Sequence, residues 1–320
     1  MIADPSPVPL LAGGGSAPLG ERFHHMKIDI PNKRITVRQS WIDTFGRCPE
    51  QARASITNPE DDHEGDAAQS GTAAHAGIEQ FLMGNIGWGD MIGHAAQVAT
   101  DAAVNGVEQK DGTVKPISYL SFENAKEMIH WAQHCVKSWQ QILYPYLEKN
   151  DWLTGTAEYR FEYDAFDHNG WTVAMQGTVD WVPDHGDTLI DWKTSKGKYR
   201  QKDKQKWAVQ PSAYVMAAVN GQFGREFALP MKFEYGVMHR LQTKQSAEIV
   251  RVERHQGHID WFVQRCVAAV EMYDAFGLDK PWPTIDSGNW LCSPKWCANY
   301  SKCRGAHISA DMDLYGYVAK

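Results

Sequence analysis

Two aspartates and a lysine, Asp180, Asp191 and Lys193, are the residues of this chain whose types and spacing best suit chemistry. Asp180 falls in an alternation of apolar and polar residues from Thr178 to Trp181, and Asp191 and Lys193 fall in a second one, Leu189 to Lys193. That period is the mark of half-buried strands. Between them, Pro183-Asp184-His185-Gly186-Asp187 is dense in turn formers. A strand period of two puts Asp191 and Lys193 on one face and Ile190 and Trp192 on the other. Paired as a hairpin, the two strands bring Asp180 close to Asp191. Carboxylates that close repel unless a cation lies between them. A hard divalent ion with oxygen ligands, Mg²⁺ or Mn²⁺, suits the pair. A protonated lysine cannot ligate, but it can orient a water or offset charge growing on a phosphate. An Asp-x-Lys taken alone belongs more often to an ordinary charged hairpin, so the weight rests on what surrounds it.

The elements that must position these residues are readable in outline. Gly71 to Phe81 reads as a helix on which His75 and Glu79, four apart, share a face. Lys204 to Val219 reads as another, with Gln210 and Tyr214 at the same spacing. Ser40 to Ser55 is expected to be helical, capped by Ser40, with Pro49 breaking or kinking it. A long helix is expected from Phe122 to Leu147, with Met128, Trp131, Cys135, Trp139 and Leu143 along one face. Strands are expected near Arg34–Val37, at Thr156–Tyr163 with Glu158, Arg160 and Glu162 on one face, at Met231–His239 and at Ser246–Val252. Asp167-His168-Asn169-Gly170 signals a turn into the strand carrying Asp180. A helix from Ile259 to Phe276 follows, and Cys135 and Cys266 read as core residues. Asn58–Asp66 and Gly84–Gly93 read as irregular, and residues 1–20, rich in Pro, Gly, Ser and Ala, as a disordered tail without signal-peptide character. The pattern is α/β.

Composition sets bounds on the rest. The hydrophobic fraction of 43% and mean hydropathy of -0.48 are those of an ordinary soluble chain, and no apolar run reaches the ~18 residues a membrane span needs. The net charge of -7 does not itself suggest a polyanion partner. Its distribution does: Lys193, Lys196, Lys198, Arg200, Lys202, Lys204 and Lys206 face one acid, Asp203, within fourteen residues. Beside paired carboxylates, such a segment is an electrostatic footprint for a phosphate backbone; elsewhere it would pass for a solvated loop.

Gly177-x-x-Asp180, Asp191-Trp192-Lys193 and Gln210-x-x-x-Tyr214, preceded by Gly71-x-x-x-His75-x-x-x-Glu79, resemble the RecB-like branch of the PD-(D/E)XK nuclease superfamily. The resemblance spans roughly Ser40 to Cys303. The proline of the superfamily name is absent, Val179 standing before Asp180. It implies a restriction-endonuclease-like α/β core, a mixed sheet flanked by helices, in a single domain over residues 21–320 with a helical N-terminal part and a Cys-rich C-terminal clamp. It implies that His75, Asp180, Asp191 and the Trp192 carbonyl hold Mg²⁺ or Mn²⁺, and that Lys193 positions the attacking water. Gln210 and Tyr214 would support the lysine and the substrate strand, with Glu79 and Glu158 behind the ligands. Lys196, Lys198, Arg200, Lys202, Lys204 and Lys206 would contact DNA. The implied activity is that of a phage-related DNA exonuclease in recombination or repair, in the cytoplasm of a bacterium or of a phage-infected host cell. A recombinase or single-strand-binding protein is a fitting partner, and no membrane is. A flap or branched-end endonuclease and a catalytically inactive DNA-binding or docking protein are the alternatives.

Six cysteines without a secretion signal argue against a disulfide framework. Cys292-x4-Cys297-x5-Cys303 supplies three thiolates of a tetrahedral set, with Cys48 as the natural fourth. Iron–sulfur members of the RecB-like branch have this layout, one cysteine before the nuclease core and three after, around a [4Fe–4S] cluster. The spacing is wider than the commoner C-x2-C-x5-C, and structural Zn²⁺ on four cysteines is the next reading. Free thiols are the third.

Overall fold

The computed structural model describes residues 26–58, 65–108, 114–119, 121–240, 243–285, 288–293 and 296–303. The tail expected over 1–20 and most of the loop expected over 58–66 lie outside them. The chain runs β1 (Lys27–Asp29), β2 (Arg34–Arg38), α1 (Gln39–Arg47), α2 (Pro49–Thr57), α3 (Asp66–Leu82), α4 (Met91–Asn105), β3 (Val107–Glu108), β4 (Val114–Lys115), α5 (Ala125–Ser138), a π-helical turn Trp139–Leu143, and α6 (Tyr144–Lys149). It continues through β5 (Gly155–His168), β6 (Trp171–Pro183), β7 (Thr188–Ser195), α7 (Gln201–Trp207), α8 (Val209–Val219), β8 (Met231–His239), β9 (Ala247–Arg254) and α9 (Gln256–Phe276). Seven strands form one sheet in the order β1-β2-β6-β7-β8-β9, with β5 on β6. β7 and β8 are parallel, whereas β1–β2, β6–β7 and β8–β9 are antiparallel, so the sheet is mixed. This is the α/β architecture expected of a restriction-endonuclease-like core. Among the described residues, no helix is long and apolar enough to cross a membrane.

Among the described residues, the chain divides into two compact units, one holding 65–164 and 175–262, the other 26–58, 165–174 and 263–303. In the first, the two faces of β7 differ as the period of two requires. Ile190 and Trp192 pack with Ala74 and Ile78 of α3 and with Cys135, Trp139 and Leu143. Trp139 meets the Trp192 ring edge-on at 5.8 Å between centroids. Each fully buried apolar side chain of this kind contributes roughly 1.5–3 kcal/mol. Gly236 of β8, level with Trp192 in the parallel register, makes room for that ring, since an added Cβ would lie 2.5 Å from it. On the side of Asp191, α8 supplies Gln210 and the buried Tyr214, whose ring meets Phe233 of β8 at 6.1 Å. Helices therefore flank the central strands on both faces.

The second unit is built on aromatic packing and one buried ion pair. Trp41 and Phe45 of α1 stack at 5.7 Å, and Trp282 meets both edge-on at 6.3 and 6.0 Å. Glu50 of α2 is buried and grips Arg53 with both oxygens, at 2.8 and 2.6 Å. The Trp282 amide donates to the same carboxylate at 2.6 Å, and Arg53 donates to the Leu278 carbonyl at 2.7 Å. The β1–β2 hairpin continues this unit onto the first residues of β6, where the Thr172 amide donates to Lys33.

The break expected at Pro49 is present, and two helices expected as continuous are divided. Cys48 is extended between α1 and α2, because the residue before a proline is pushed out of the helical region and Pro49 opens the next helix. Ser40 lies inside α1, and Arg38 holds the cap position. The expected helix over 122–147 passes through the π-helical turn just before Pro145, whose missing N–H cannot continue the ladder. The helix expected over 204–219 is interrupted at Ala208, where the buried Arg254 of β9 donates to the carbonyls of Lys204, Gln205 and Ala208. The stretch expected to be irregular over 84–93 already enters α4 at Met91. The contact face of α4 is largely alanine (Ala95, Ala99), which gives little hydropathic signal.

Candidate active site

The site is assembled where β6, β7, α3 and α8 meet. Trp181 lies opposite Ile190 in the antiparallel β6–β7 pair, a register that sets Asp180 across from Asp191. Two strand positions further on from Asp191, Lys193 returns to the same face and its Nζ pairs with Asp191 Oδ2. Asp180 Oδ2 accepts the backbone N–H of Trp192 at 2.7 Å, and His75 Nδ1 stands 3.7 Å from that same oxygen. Gln210 Nε2 donates to the other Asp191 oxygen, Oδ1, at 2.7 Å. Tyr214 donates its hydroxyl hydrogen to the Thr178 carbonyl at 2.7 Å, which fixes α8 against β6.

Two glycines singled out by the spacing are sites of close approach. A Cβ on Gly71 would fall 2.8 Å from Thr194 Oγ1, so its absence lets α3 lie against β7 and deliver His75. A Cβ on Gly177 would fall 2.6 Å from the Phe161 ring and 3.0 Å from that of Tyr214. The glycine of Gly177-x-x-Asp180 thus admits the tyrosine of Gln210-x-x-x-Tyr214.

Side-chain exposure is 1% for Asp191, 14% for Asp180, 27% for His75 and 29% for Lys193, so the group opens to solvent on the histidine and lysine side. Burial pushes Asp191 up to about 6, helped by the Asp180 carboxylate, against the pull of Lys193. Asp180 is raised as well, by burial first, with the Glu79 carboxylate adding to the effect and Lys193 opposing it. Burial and the Lys193 charge push His75 down to about 4, leaving it neutral near pH 7. For Lys193, the attraction of Asp191 and Asp180 outweighs burial and holds the ammonium charged far above the neutral range. Near pH 7 Asp191 is thus a carboxylate, Lys193 an ammonium and His75 a neutral imidazole, with the Asp180 carboxyl beside them biased toward its protonated form until a cation offsets its burial. That is an oxygen-rich centre with a neutral ring nitrogen able to act as a ligand.

Of the residues singled out in the sequence, His75, Asp180, Asp191, Lys193, Gln210 and Tyr214 are brought together. Glu79 is one turn along α3 from His75, near enough for its charge to act on Asp180. Glu158 sits on β5 at φ 48°, a left-handed conformation that interrupts the expected alternation of that strand. The basic segment divides in two. Lys196, Lys198, Arg200, Lys202 and Lys206 are exposed, with Arg200 paired to Asp203 at 2.7 Å. Lys204 instead lies over the Tyr199 ring at 4.0 Å. Sequence reasoning missed Tyr199 and Tyr235, both raised by burial and by the Asp191 charge, which places them close to the carboxylates. The signal for Tyr235 was there, in the alternation of Phe233, Tyr235 and Val237 on β8.

In the second unit, Cys48, Cys292, Cys297 and Cys303 line one cavity with Glu50 and Leu291. Burial raises the Cys297 thiol and pushes Cys303 up to about 11, and for both the neighbouring cysteines add to the rise. Cys135 and Cys266 are buried core residues. Among the described residues, no group of three or more His, Cys, Asp or Glu side chains is set as a ready metal shell.

A family model described as the PD-(D/E)XK nuclease superfamily matches residues 37–304. No curated protein matches the chain in sequence. Among solved structures, a candidate exonuclease from Eubacterium rectale is 12% identical with a TM-score of 0.45, over 75% of this chain and 80% of that one. The protein SSO0001 is 12% identical with a TM-score of 0.38, over 87% of this chain and 89% of that one.

Proposed function

Since this chain belongs to the PD-(D/E)XK nuclease superfamily, we propose that it is a divalent-metal-dependent DNA exonuclease of the RecB-like, iron–sulfur type. The observation that carries the reading is the joining of Asp180, Asp191 and Lys193 with His75 in one partly open group. His75, Asp180, Asp191 and the Trp192 carbonyl would hold Mg²⁺ or Mn²⁺. A divalent ion there supplies Lewis acidity toward a phosphodiester. The Lys193 ammonium orients the attacking water and offsets charge growing on the phosphate. Gln210 fixes the Asp191 carboxylate, and Tyr214 holds β6 so that Asp180 stays in place. Exposed Lys196, Lys198 and Lys202 give the DNA backbone a charged approach.

Mg²⁺-dependent digestion of DNA tests this. Linear duplex should be consumed while covalently closed circles survive. Cutting of circles or flaps would favour the endonuclease alternative, and binding without any cleavage would favour a docking protein. Recombination or repair, in a bacterial or phage-infected cytoplasm, is the setting such an activity fits, with a recombinase or single-strand-binding protein receiving the processed strand.

Acid should suppress cleavage without unfolding the chain. Asp191, raised to about 6, takes up a proton as the pH falls through that value and ceases to serve a cation. For stability the signs oppose. Between about 4 and 6 the folded chain holds the Asp191 proton more tightly than the unfolded one, so stability from this group falls as pH rises. His75, lowered to about 4, contributes stability that grows with pH over nearly the same window. The two largely cancel. Asp180, also raised, adds to the sign of Asp191. The cleavage rate should therefore drop between pH 7 and pH 5 with no fall in the thermal midpoint from this group, and more Mg²⁺ should shift the drop to lower pH. An undiminished rate at pH 5 would count against Asp191 as a ligand.

The four cysteines around one cavity are the donor set that a [4Fe–4S] cluster takes, and they support a cluster tying Cys48 to the C-terminal segment. Anaerobically purified protein should be brown and carry about four irons per chain. Zinc in a colourless sample would make the site structural Zn²⁺.

A further inference from the structure

Helix α7 buries none of its side chains. Its mounting is polar: Gln205 exchanges hydrogen bonds with the Glu253 backbone at 2.7 and 2.9 Å. Arg254, 1% exposed, donates to the carbonyls of Lys204, Gln205 and Ala208 and to Ser212 Oγ at 3.0–3.1 Å. A helix held this firmly without an apolar face presents its side chains rather than packing them. What it presents is Trp207, 67% exposed, on a helix that also carries the exposed Lys202 and Lys206. Trp207 precedes Gln210, which holds Asp191, by three residues. Lys204 of the same helix lies over Tyr199, which feels the charges of Lys193 and Asp191.

An indole ring exposed on a lysine-bearing helix, three residues before the glutamine that holds Asp191, meets the two needs of unpaired nucleic acid. Lysines follow the backbone, and a flat aromatic face takes a base that is not stacked in a duplex. A paired end offers its bases only in the stack, so a lone ring gains little from it. Resting on the nuclease reading above, we propose that Trp207 is a stacking platform for an unpaired base of single-stranded DNA approaching the Asp180–Asp191 centre. The substrate strand is therefore engaged in single-stranded form at that point.

The test is binding of fluorescently labelled oligonucleotides to the full chain in EDTA, where no hydrolysis competes. Trp207→Ala should weaken binding of a single-stranded oligonucleotide by about 10-fold, the scale of one lost base–aromatic stack, and of a blunt duplex by less than about two-fold. Trp207→Phe should recover most of the loss. Lys202→Ala with Lys206→Ala should instead weaken both DNAs alike and flatten the salt dependence. Equal loss on both DNAs for Trp207→Ala, or no loss on either, overturns the proposal; in the second case Trp207 serves a protein partner. If the wild-type chain digests DNA while Trp207→Ala binds normally, only the stacking role fails. If the wild-type chain neither binds nor digests DNA, the nuclease reading fails with it.

Discussion

Asp180→Asn and Asp191→Asn should each lower Mg²⁺-dependent DNA cleavage by on the order of 10³-fold or more, and Lys193→Met should do the same. The cause is electrostatic. Asp191 has its two oxygens engaged separately, one by Lys193 and one by Gln210. Asp180 spends one oxygen on the Trp192 amide and on the approach of His75. An amide at either position keeps the shape but removes the charge that a divalent ion needs, and its NH₂ points a donor where a cation should bind. Lys193→Met removes the counter-charge of two buried carboxylates. They respond by taking protons rather than by unfolding the chain, so activity falls more than stability. The check is a cleavage assay beside a thermal melt. Any one variant with wild-type rate would remove that residue from the centre.

Glu50→Ala should cost roughly 3–5 kcal/mol of stability, the usual result of removing one partner from a buried ion pair. Glu50 and Arg53 are 6% and 14% exposed at the side chain, so solvent screens them little. Alanine would strand the Arg53 guanidinium and the Trp282 amide together. Because Trp282 also meets both Trp41 and Phe45 edge-on, the aromatic packing of the second unit should loosen with it. Glu50→Gln keeps an acceptor for the amide and should cost less than half as much. Denaturant unfolding of the purified variants checks both. A loss under 1 kcal/mol for alanine would mean the pair contributes no more than a surface contact.

This carboxylate was not legible in the sequence, because a glutamate in a helical Pro-Glu-Gln-Ala-Arg-Ala reads as surface. Its burial depends on residues more than 200 positions away. The same limit applies to Arg254, whose role as an anchor for α7 follows from carbonyls that only the tertiary fold turns toward it. What could be read was local and periodic. The period of two through Leu189–Lys193 placed Asp191 and Lys193 together, and the four-residue spacing placed Gln210 and Tyr214 on one helix face. That Gln210 bonds Asp191 and Tyr214 the Thr178 carbonyl, where the resemblance had them supporting Lys193, was not legible. The glycines of the motifs were legible as positions, but their reason, the close passage of Thr194 and Tyr214, was not. The break at Pro49 was legible from the proline itself, whereas helix ends failed where a later proline or a distant side chain overrode a continuous apolar stripe, at Tyr144 and Ala208.

The centre itself is best tested before any DNA is added, by electron paramagnetic resonance of Mn²⁺ titrated into the full chain near pH 7.5. The account predicts a bound ion at this centre in the wild-type protein, lost or greatly weakened in Asp180→Asn, Asp191→Asn and His75→Ala alike. Mn²⁺ bound with unchanged affinity in all three variants would contradict it.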